Sequence, residues 1–437
     1  MSTGSSIAVV GGGISGLGAA WHLAPGHDVH LFERAPRLGG HTHTHAVQTP
    51  DGPVSVDTGF IVYNETTYPL LTRLFDELGV ESRPTNMSFS CRCDACDVVY
   101  SGLGVSGVFA RRRNALDPRF LRFLASIRRF HSLGRSANDG FAGGTLEDLV
   151  AMVGGNGDLG RHYAFPLASA LWSTGIDEVR RFPASTFVDF FRAHRLFGIH
   201  GRLEWRSVVG GSSTYVAAMM RRLNGRAHTS TSVRAIERGR GGPRLHFGDG
   251  SSQGFDRVIV ATHADEALRL LITRSDRERL ALGAWNYAES DTWLHSDARF
   301  LAAEPTAHAS WNYHLADCRR PAARTTMTYN LNRLQGLETD TPFLVTLNPA
   351  REPDAVHARM TYRHPIFTAE SVGAQDEVRA LNREGDRDVL FCGAWLGYGF
   401  HEDGLRAGVE AAALAGDRAR RAARPKRVAG AGTTVPA

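Results

Sequence analysis

An α/β fold of the Rossmann type, joined to a discontinuous α+β second domain, is predicted by three observations. A buried strand, Ile7 to Val10, runs straight into Gly11, Gly13 and Gly16. An acid, Glu33, closes a second strand, and further glycine and strand signals recur near residues 210 and 390. Each glycine of the first loop has its own task. Gly11 allows the tight turn, Gly13 lets the backbone approach a pyrophosphate, and Gly16 lets helix and strand pack closely. The phosphates then sit on the amino end of a helix that begins near Ile14 and Ser15, where free N–H groups and the helix dipole favour negative charge. Glu33, followed by Arg34, is placed to accept hydrogen bonds from an adenosine ribose. A lone GxGxxG is a weak signal, but here a strand, a helix and an acid accompany it.

The next segment selects the dinucleotide. Arg37-Leu38-Gly39-Gly40-His41-Thr42 and then Asp57-Thr58-Gly59, followed by Phe60, Ile61 and Val62, add a second glycine pair and a second turn. A nicotinamide site does not need them. An extended FAD does, because its pyrophosphate and ribityl chain continue past the first loop and require another close backbone approach. The far end agrees: Val389 to Cys392 reads as a strand, followed by Gly393 and Ala394, and a helix is predicted from about Gly404 and Leu405 to Ala415. Its amino end would aim a positive dipole at the flavin pyrimidine oxygen. An ordinary closing strand and helix of a Rossmann sheet is the plainer alternative.

On Gly11 to Gly16, Glu33-Arg34, Leu38-Gly39-Gly40, Asp57-Thr58-Gly59, Gly210-Gly211-Ser212, Asp256 to Thr262 and Phe391 to Ala394, the chain resembles the flavin-containing amine oxidase superfamily over nearly its whole length. More narrowly, DTGFIVYN (57–64), Trp205-Arg206-Ser207-Val208, ATHADEA (261–267), Trp311-Asn312-Tyr313, VTLNP (345–349) and GYGFHEDG (397–404) are similar to a bacterial group of FAD-binding oxidoreductases. That resemblance implies FAD, an amine-oxidase-like two-domain architecture, an adenine clamp at Val233 and an acyl-chain substrate. Many relatives carry Gly-Asp after the last strand and Gly-Gly-Arg after the second. This chain has Gly393-Ala394 and Gly40-His41 there, so those side-chain contacts to flavin do not carry over.

The cofactor signals fall in three blocks, which predicts an FAD-binding domain from 1–80, 207–272 and 386–420. A substrate domain is expected from 81–206 and 273–385, with a disordered basic tail over 421–437. Phe120, Leu121, Leu124, Ile127 and Phe130 recur at helical spacing, as do Phe187, Phe190 and Phe191. The block 273–385 reads as strands, clearest at 326–330 and 343–347. With 437 residues, 42% of them hydrophobic, the chain can bury a large core. Five cysteines, with neither a leader nor a long apolar run, point to a cytoplasmic, reducing setting.

FAD supplies the redox chemistry, so the protein must position a C–H bond over flavin N5 and exclude water. The segments expected at the ring offer Tyr63 and Asn64, Trp311 and Tyr313, and Tyr398 through Glu402. His401 could move a proton near neutral pH, and Glu402 could orient it or act as base. The competing view makes GYGFHEDG a structural turn with Asp403 as the helix cap. Amine-oxidising flavoenzymes commonly hold a water at N5 with a lysine, and the only lysine here is Lys426. The leading expectation is therefore oxidation, desaturation or isomerisation of an apolar substrate. Amine oxidation is the first rival, and a non-catalytic flavin- and lipid-binding scaffold is the second.

Cys91, Cys93 and Cys96 form a CxCxxC. A tetrahedral site needs four ligands and no CxxC partner occurs elsewhere, so the stretch reads as a hairpin and no metal is expected. His41, His43 and His45 alternate as on one face of a strand. The basic segment 111–135 reads as a surface helix with its apolar face in the core, with contact to a membrane surface as the alternative. A small-molecule or lipid substrate is expected as partner, and nucleic acid is not.

Overall fold

The computed structural model describes residues 4–50, 52–136, 144–154, 157–198, 201–223, 226–320, 324–385 and 387–423. Of the expected tail, residues 424–437 lie outside the described residues.

Five parallel strands form one sheet, in the order Val389–Phe391, Arg257–Val260, Ser6–Val10, Asp28–Phe32, Ala227–His228. Their residues come from near the start, middle and end of the chain. Ile7, Ala8, Val9, Val258, Ile259, Val260, Leu390 and Phe391 are all fully buried, as expected of parallel strands covered on both faces. The helix Ile14–Leu23 follows the first strand, and the helix His401–Ala423 packs along it. Glycines set how close the two helices come. A Cβ on Gly408 would lie 2.1 Å from the Ser15 carbonyl oxygen, and one on Gly18 would lie 2.6 Å from Leu405. The last helix begins at His401, three residues before the expected start, so His401 to Asp403 form its first turn.

A second, seven-stranded sheet runs in the order Val356–Ile366, Asn286–His295, Leu344–Leu347, Met327–Asn330, Trp311–Leu315, Phe89–Cys93, Val98–Ser101. Trp311–Leu315 pairs parallel with Phe89–Cys93, and the other pairs are antiparallel. The predicted hairpin at the cysteines is its Phe89–Ser101 end. The strand Val356–Ile366 and the helix Ala369–Arg383 are additions to the sequence reading. That strand lies at the sheet edge and ends with Pro365 paired to Tyr287, an arrangement tolerated only at an edge.

Helices Pro118–Ser136, Leu146–Val153, Phe165–Trp172 and Ala184–Ala193 build a third layer. Phe187, Phe190 and Phe191 are fully buried as the spacing predicts. In the basic helix the core face carries Phe120, Phe123 and Phe130, whereas Leu121 is 43% exposed, which corrects its expected place on the apolar face. Among the described residues no helix is long and apolar enough to cross a membrane.

Candidate functional site

A cavity of about 1160 Å³ extends from the glycine loop, between the two sheets, to the helical layer. That exceeds the roughly 300–1,000 Å³ of an ordinary small-molecule pocket. At one end it is lined by Gly11, Gly13, Ile14, Ser15, Glu33, Arg34, Gly39, Gly40, His41, Gly59, Phe60, Ile61, Val62 and Val233. Gly393, Ala394, Gly399, Phe400 and His401 line it from the C-terminal strand and helix.

The backbone explains this convergence. Gly11 has φ +107°, and a Cβ there would lie 2.7 Å from the Ala261 carbonyl oxygen. Gly13 is bridged to Gly39, and Gly39 N–H donates to the Gly12 carbonyl at 2.7 Å. Glu33 accepts from Gly12 N–H and from Ala35 N–H, both at 2.8 Å. Thr231 N–H donates to the Glu33 carbonyl at 2.8 Å, which brings the loop before Val233 alongside. The buried Asp57 joins two further motifs by accepting from Ser212 N–H at 3.0 Å, Ser212 Oγ at 2.8 Å and Thr44 Oγ1 at 2.5 Å. Burial pushes its carboxyl up to about 6. Gly59 follows, so close under His41 that a Cβ would lie 2.0 Å from the His41 carbonyl oxygen.

This cradle fits the diphosphate and ribose of FAD. A Cβ on Gly13 would meet nothing within 4 Å, so the backbone there is open to the cavity. The helix Ile14–Leu23 has no side-chain cap and no acid in its first turn, which leaves its N–H groups for an anion. His41 Nε2 and His364 Nδ1 are buried with no hydrogen-bond partner among the described residues. Buried polar atoms left this way favour a ligand that can pair with them.

Several expected residues serve the cradle from behind its surface. Gly16 packs against the Gly11 carbonyl, and Gly404 against Ile14 and Ser15. Leu405 is buried against Gly18. Thr42 is buried, with Oγ1 within 2.5 Å of Tyr215 Oη and 2.9 Å of His401 Nε2. None of these four lines the cavity.

The catalytic candidates separate. Trp311, Tyr398 and His401 line the cavity; Tyr63, Asn64, Tyr313 and Glu402 do not. Tyr63 is buried and donates to Ser82 Oγ at 2.8 Å. Asn64 closes a turn on Thr67, and Tyr313 contacts Ser169 Oγ at 3.0 Å. Glu402 accepts from Leu70 and Leu71 N–H, both at 3.0 Å, at the start of the helix Pro69–Leu78. Asp403 accepts from Tyr398 and Phe400 N–H at 3.0 and 3.1 Å from within the first turn of the last helix, so it holds the preceding turn against the helix and is not itself the expected cap residue.

Sequence reading missed the wall opposite His41. Tyr362 stacks on His41 at 5.0 Å and His364 lies 5.1 Å away, both from the edge strand Val356–Ile366. Only the alternation of Tyr362 and His364 in the sequence hinted at a shared face. His41 does not continue the strand of His45, which starts at Thr44, so the expected three-histidine face is replaced by a His43–His45 pair at 4.0 Å. Burial lowers His41 and His263 to about 4, and His43, His364 and His401 to about 3. The histidines around the cavity are therefore neutral at pH 7.

The flavin containing amine oxidoreductase family matches residues 14–290. Among solved structures, cyclohexylamine oxidase from Brevibacterium oxydans IH-35A superposes with a TM-score of 0.68 at 16% identity, covering 96% of this chain and 100% of that one. Putrescine oxidase bound to putrescine gives 0.63 at 14%, with 94% and 98% covered. A CLA-producing fatty acid isomerase from P. acnes gives 0.64 at 15%, with 93% and 97% covered. At these identities the structural likeness establishes the fold.

Proposed function

This chain belongs to the flavin-containing amine oxidoreductase family, and from that premise we propose that, as an FAD-dependent oxidoreductase, it takes a hydride from an apolar chain, a modified fatty acyl group above all, onto flavin N5. The observation that carries the substrate class is the wall of the inner cavity, where Met87, Phe89, Leu167, Leu171, Trp311, Tyr329 and Leu347 stand together. Desolvating a long apolar chain there contributes roughly 25 cal/mol per Å² of buried surface. Trp311 meets Tyr329 edge to face at 5.5 Å, which gives the wall a fixed shape. The exposed Arg202 on the same cavity is available to a carboxylate at the chain's polar end.

His401 would hold the flavin end of the cavity in place through Phe60, Thr42 and Tyr215, as a neutral ring that positions without carrying charge. Tyr398 and Trp311 would face the substrate. Gly11, Gly13, Glu33, Gly39, Gly40 and Val233 would hold the adenosine diphosphate half.

Amine oxidation is the second reading, favoured by the family and by the substrates named for cyclohexylamine and putrescine oxidases. Anaerobic mixing of the purified yellow protein with methyl-branched or cyclopropane acyl lipids separates the two. Bleaching of the flavin by the lipids supports the acyl reading, and bleaching by primary amines alone overturns it.

A further inference from the structure

Outside the cavity, at the edge of the seven-stranded sheet, four side chains that bind soft metals converge. Cys93 ends the strand Phe89–Cys93 and Cys96 lies in the turn that follows. Cys318 comes three residues after the strand Trp311–Leu315, and His162 sits in the π-helical turn Gly160–Ala164. Their four ligand atoms all lie within 4.8 Å of one another. Cys96 Sγ is 3.1 Å from His162 Nε2 and 3.9 Å from Cys318 Sγ. With Zn–S bonds near 2.3 Å and Zn–N near 2.0 Å, the edges of a coordination tetrahedron come to roughly 3.5–3.8 Å. The cluster already has about that size. It is too open for a Cys96–Cys318 disulfide, whose sulfurs would stand about 2.05 Å apart.

The surroundings support the same conclusion. Asp94 N–H donates to the Leu315 carbonyl at 2.9 Å and Ala95 N–H to the Ala316 carbonyl at 3.0 Å, which fixes the Cys93–Cys96 turn beside Cys318. The far nitrogen of His162, Nδ1, lies 3.7 Å from Asp158 Oδ1, and Asp158 is held by Arg119 through two 2.9 Å hydrogen bonds. That carboxylate stands on the side of the ring away from Cys96, where the second shell of a ligating histidine commonly lies. Tyr100 Oη donates to the His162 carbonyl at 2.8 Å, which steadies the π-turn, a geometry concentrated at functional positions. Cys93, Cys318 and His162 are buried and Cys96 is half-buried. Three thiolates around a divalent ion leave one net negative charge and Asp158 adds a second, and the guanidiniums of Arg119 and Arg161, 2.9 and 4.0 Å from Asp158, balance the two.

We propose that Cys93, Cys96, Cys318 and His162 form a closed, structural zinc site. Thiolate and imidazole donors select zinc over oxygen-seeking cations, and four protein ligands leave no open position for catalysis. Binding releases the three thiol protons and ties the sheet edge to the helical layer. Phe89 and Tyr100, on the same hairpin, and Tyr163, next to His162, line the cavity, so the ion would stiffen that wall from outside.

Elemental analysis of the full-length protein, purified without a chelator or a metal-affinity tag, should find about one zinc per chain. Cys96→Ser and Cys318→Ser should each lose most of it, while Cys91→Ala, on the same strand but outside the cluster, should keep it. Should the serine variants fail to fold, the unaltered chain grown with cobalt in place of zinc gives an independent readout. Thiolate-to-cobalt charge transfer, with ligand-field bands at wavelengths beyond the flavin's, supports the site. Absence of stoichiometric metal, with these cysteines titrating as free thiols or as a disulfide, overturns the proposal. So does zinc retained by the serine variants, or iron in its place.

Discussion

His401 lies face to face on Phe60, with ring centroids 3.7 Å apart and planes 10° from parallel, and its Nε2 is 2.9 Å from both Thr42 Oγ1 and Tyr215 Oη. The ring is packed on one side and hydrogen-bonded at its edge to two hydroxyls, with no acid bonded to that nitrogen among the described residues. Burial lowers its pKa to about 3, so at neutral pH it is an uncharged fixture of the cavity.

The first expectation concerns pH. His41, His43, His263, His364 and His401 bind protons only near pH 3 to 4 when folded, but near 6.5 when unfolded. In that window the unfolded chain holds more protons, so stability rises with pH and is lost as pH falls from about 6.5 toward 3. Each histidine contributes up to about 1.4 kcal/mol per pH unit. Asp57, raised to about 6, acts in the opposite direction between about pH 4 and 6, as do Glu402 and Asp403, which burial also raises, but these three carboxyls are outnumbered by the five histidines. Urea midpoints between pH 7.5 and 5 should fall, and His401→Asn should flatten the slope. A midpoint independent of pH would rule out the neutral histidine wall.

Glu402 tests whether the acid at the last helix takes part in the reaction. Its two oxygens accept from Leu70 and Leu71 N–H, so Glu402→Ala should destabilise the fold by about 1–2 kcal/mol, as loss of a helix cap does. Turnover by the folded variant should stay within about threefold of the parent. A loss of kcat by orders of magnitude, with stability preserved, would return Glu402 to the chemistry.

Two glycines of one loop should fail in different ways. Gly13→Ala adds a methyl into open space at φ −75°, so cofactor-free stability should change by less than about 0.5 kcal/mol. FAD affinity should nevertheless drop roughly 100-fold, or about 2.8 kcal/mol. Gly11→Ala must place a Cβ 2.7 Å from the Ala261 carbonyl oxygen at φ +107°, so folding itself should suffer. Flavin titration beside urea unfolding distinguishes the two, and unchanged affinity in Gly13→Ala would remove the pyrophosphate from this loop.

Asp57 should behave as a staple between motifs far apart in sequence. Asp57→Ala would strand Ser212 N–H and Gln335 Nε2, at a cost of about 3 kcal/mol for buried donors left without their charged acceptor. Lower flavin occupancy should accompany the lower urea midpoint, because Thr58 and Gly59 line the cavity. Full stability in this variant would mean that the two turns hold each other by other contacts.

The sequence by itself determined the glycine-lined loops proposed to hold the nucleotide. Gly11, Gly39 and Gly40 answer local backbone demands, a positive φ or a close approach, and such demands are met by residue type wherever the rest of the chain goes. The apolar run of the first strand and the helical spacing of Phe187, Phe190 and Phe191 are local in the same sense. Only the tertiary structure decided which way side chains point once strands from distant segments pair. Trp311 and Tyr313 share one face of their strand, so it was the helix Phe165–Trp172, whose Ser169 meets Tyr313 Oη, that covered Tyr313 while Trp311 stayed on the cavity, and packing of the last helix turned Glu402 toward Leu70. The meeting of Cys93, Cys96, Cys318 and His162 belongs to the same class. Only the Cys93–Cys96 pair has a spacing to read; Cys318 and His162 join it from other elements, at distances that run through space and not along the chain.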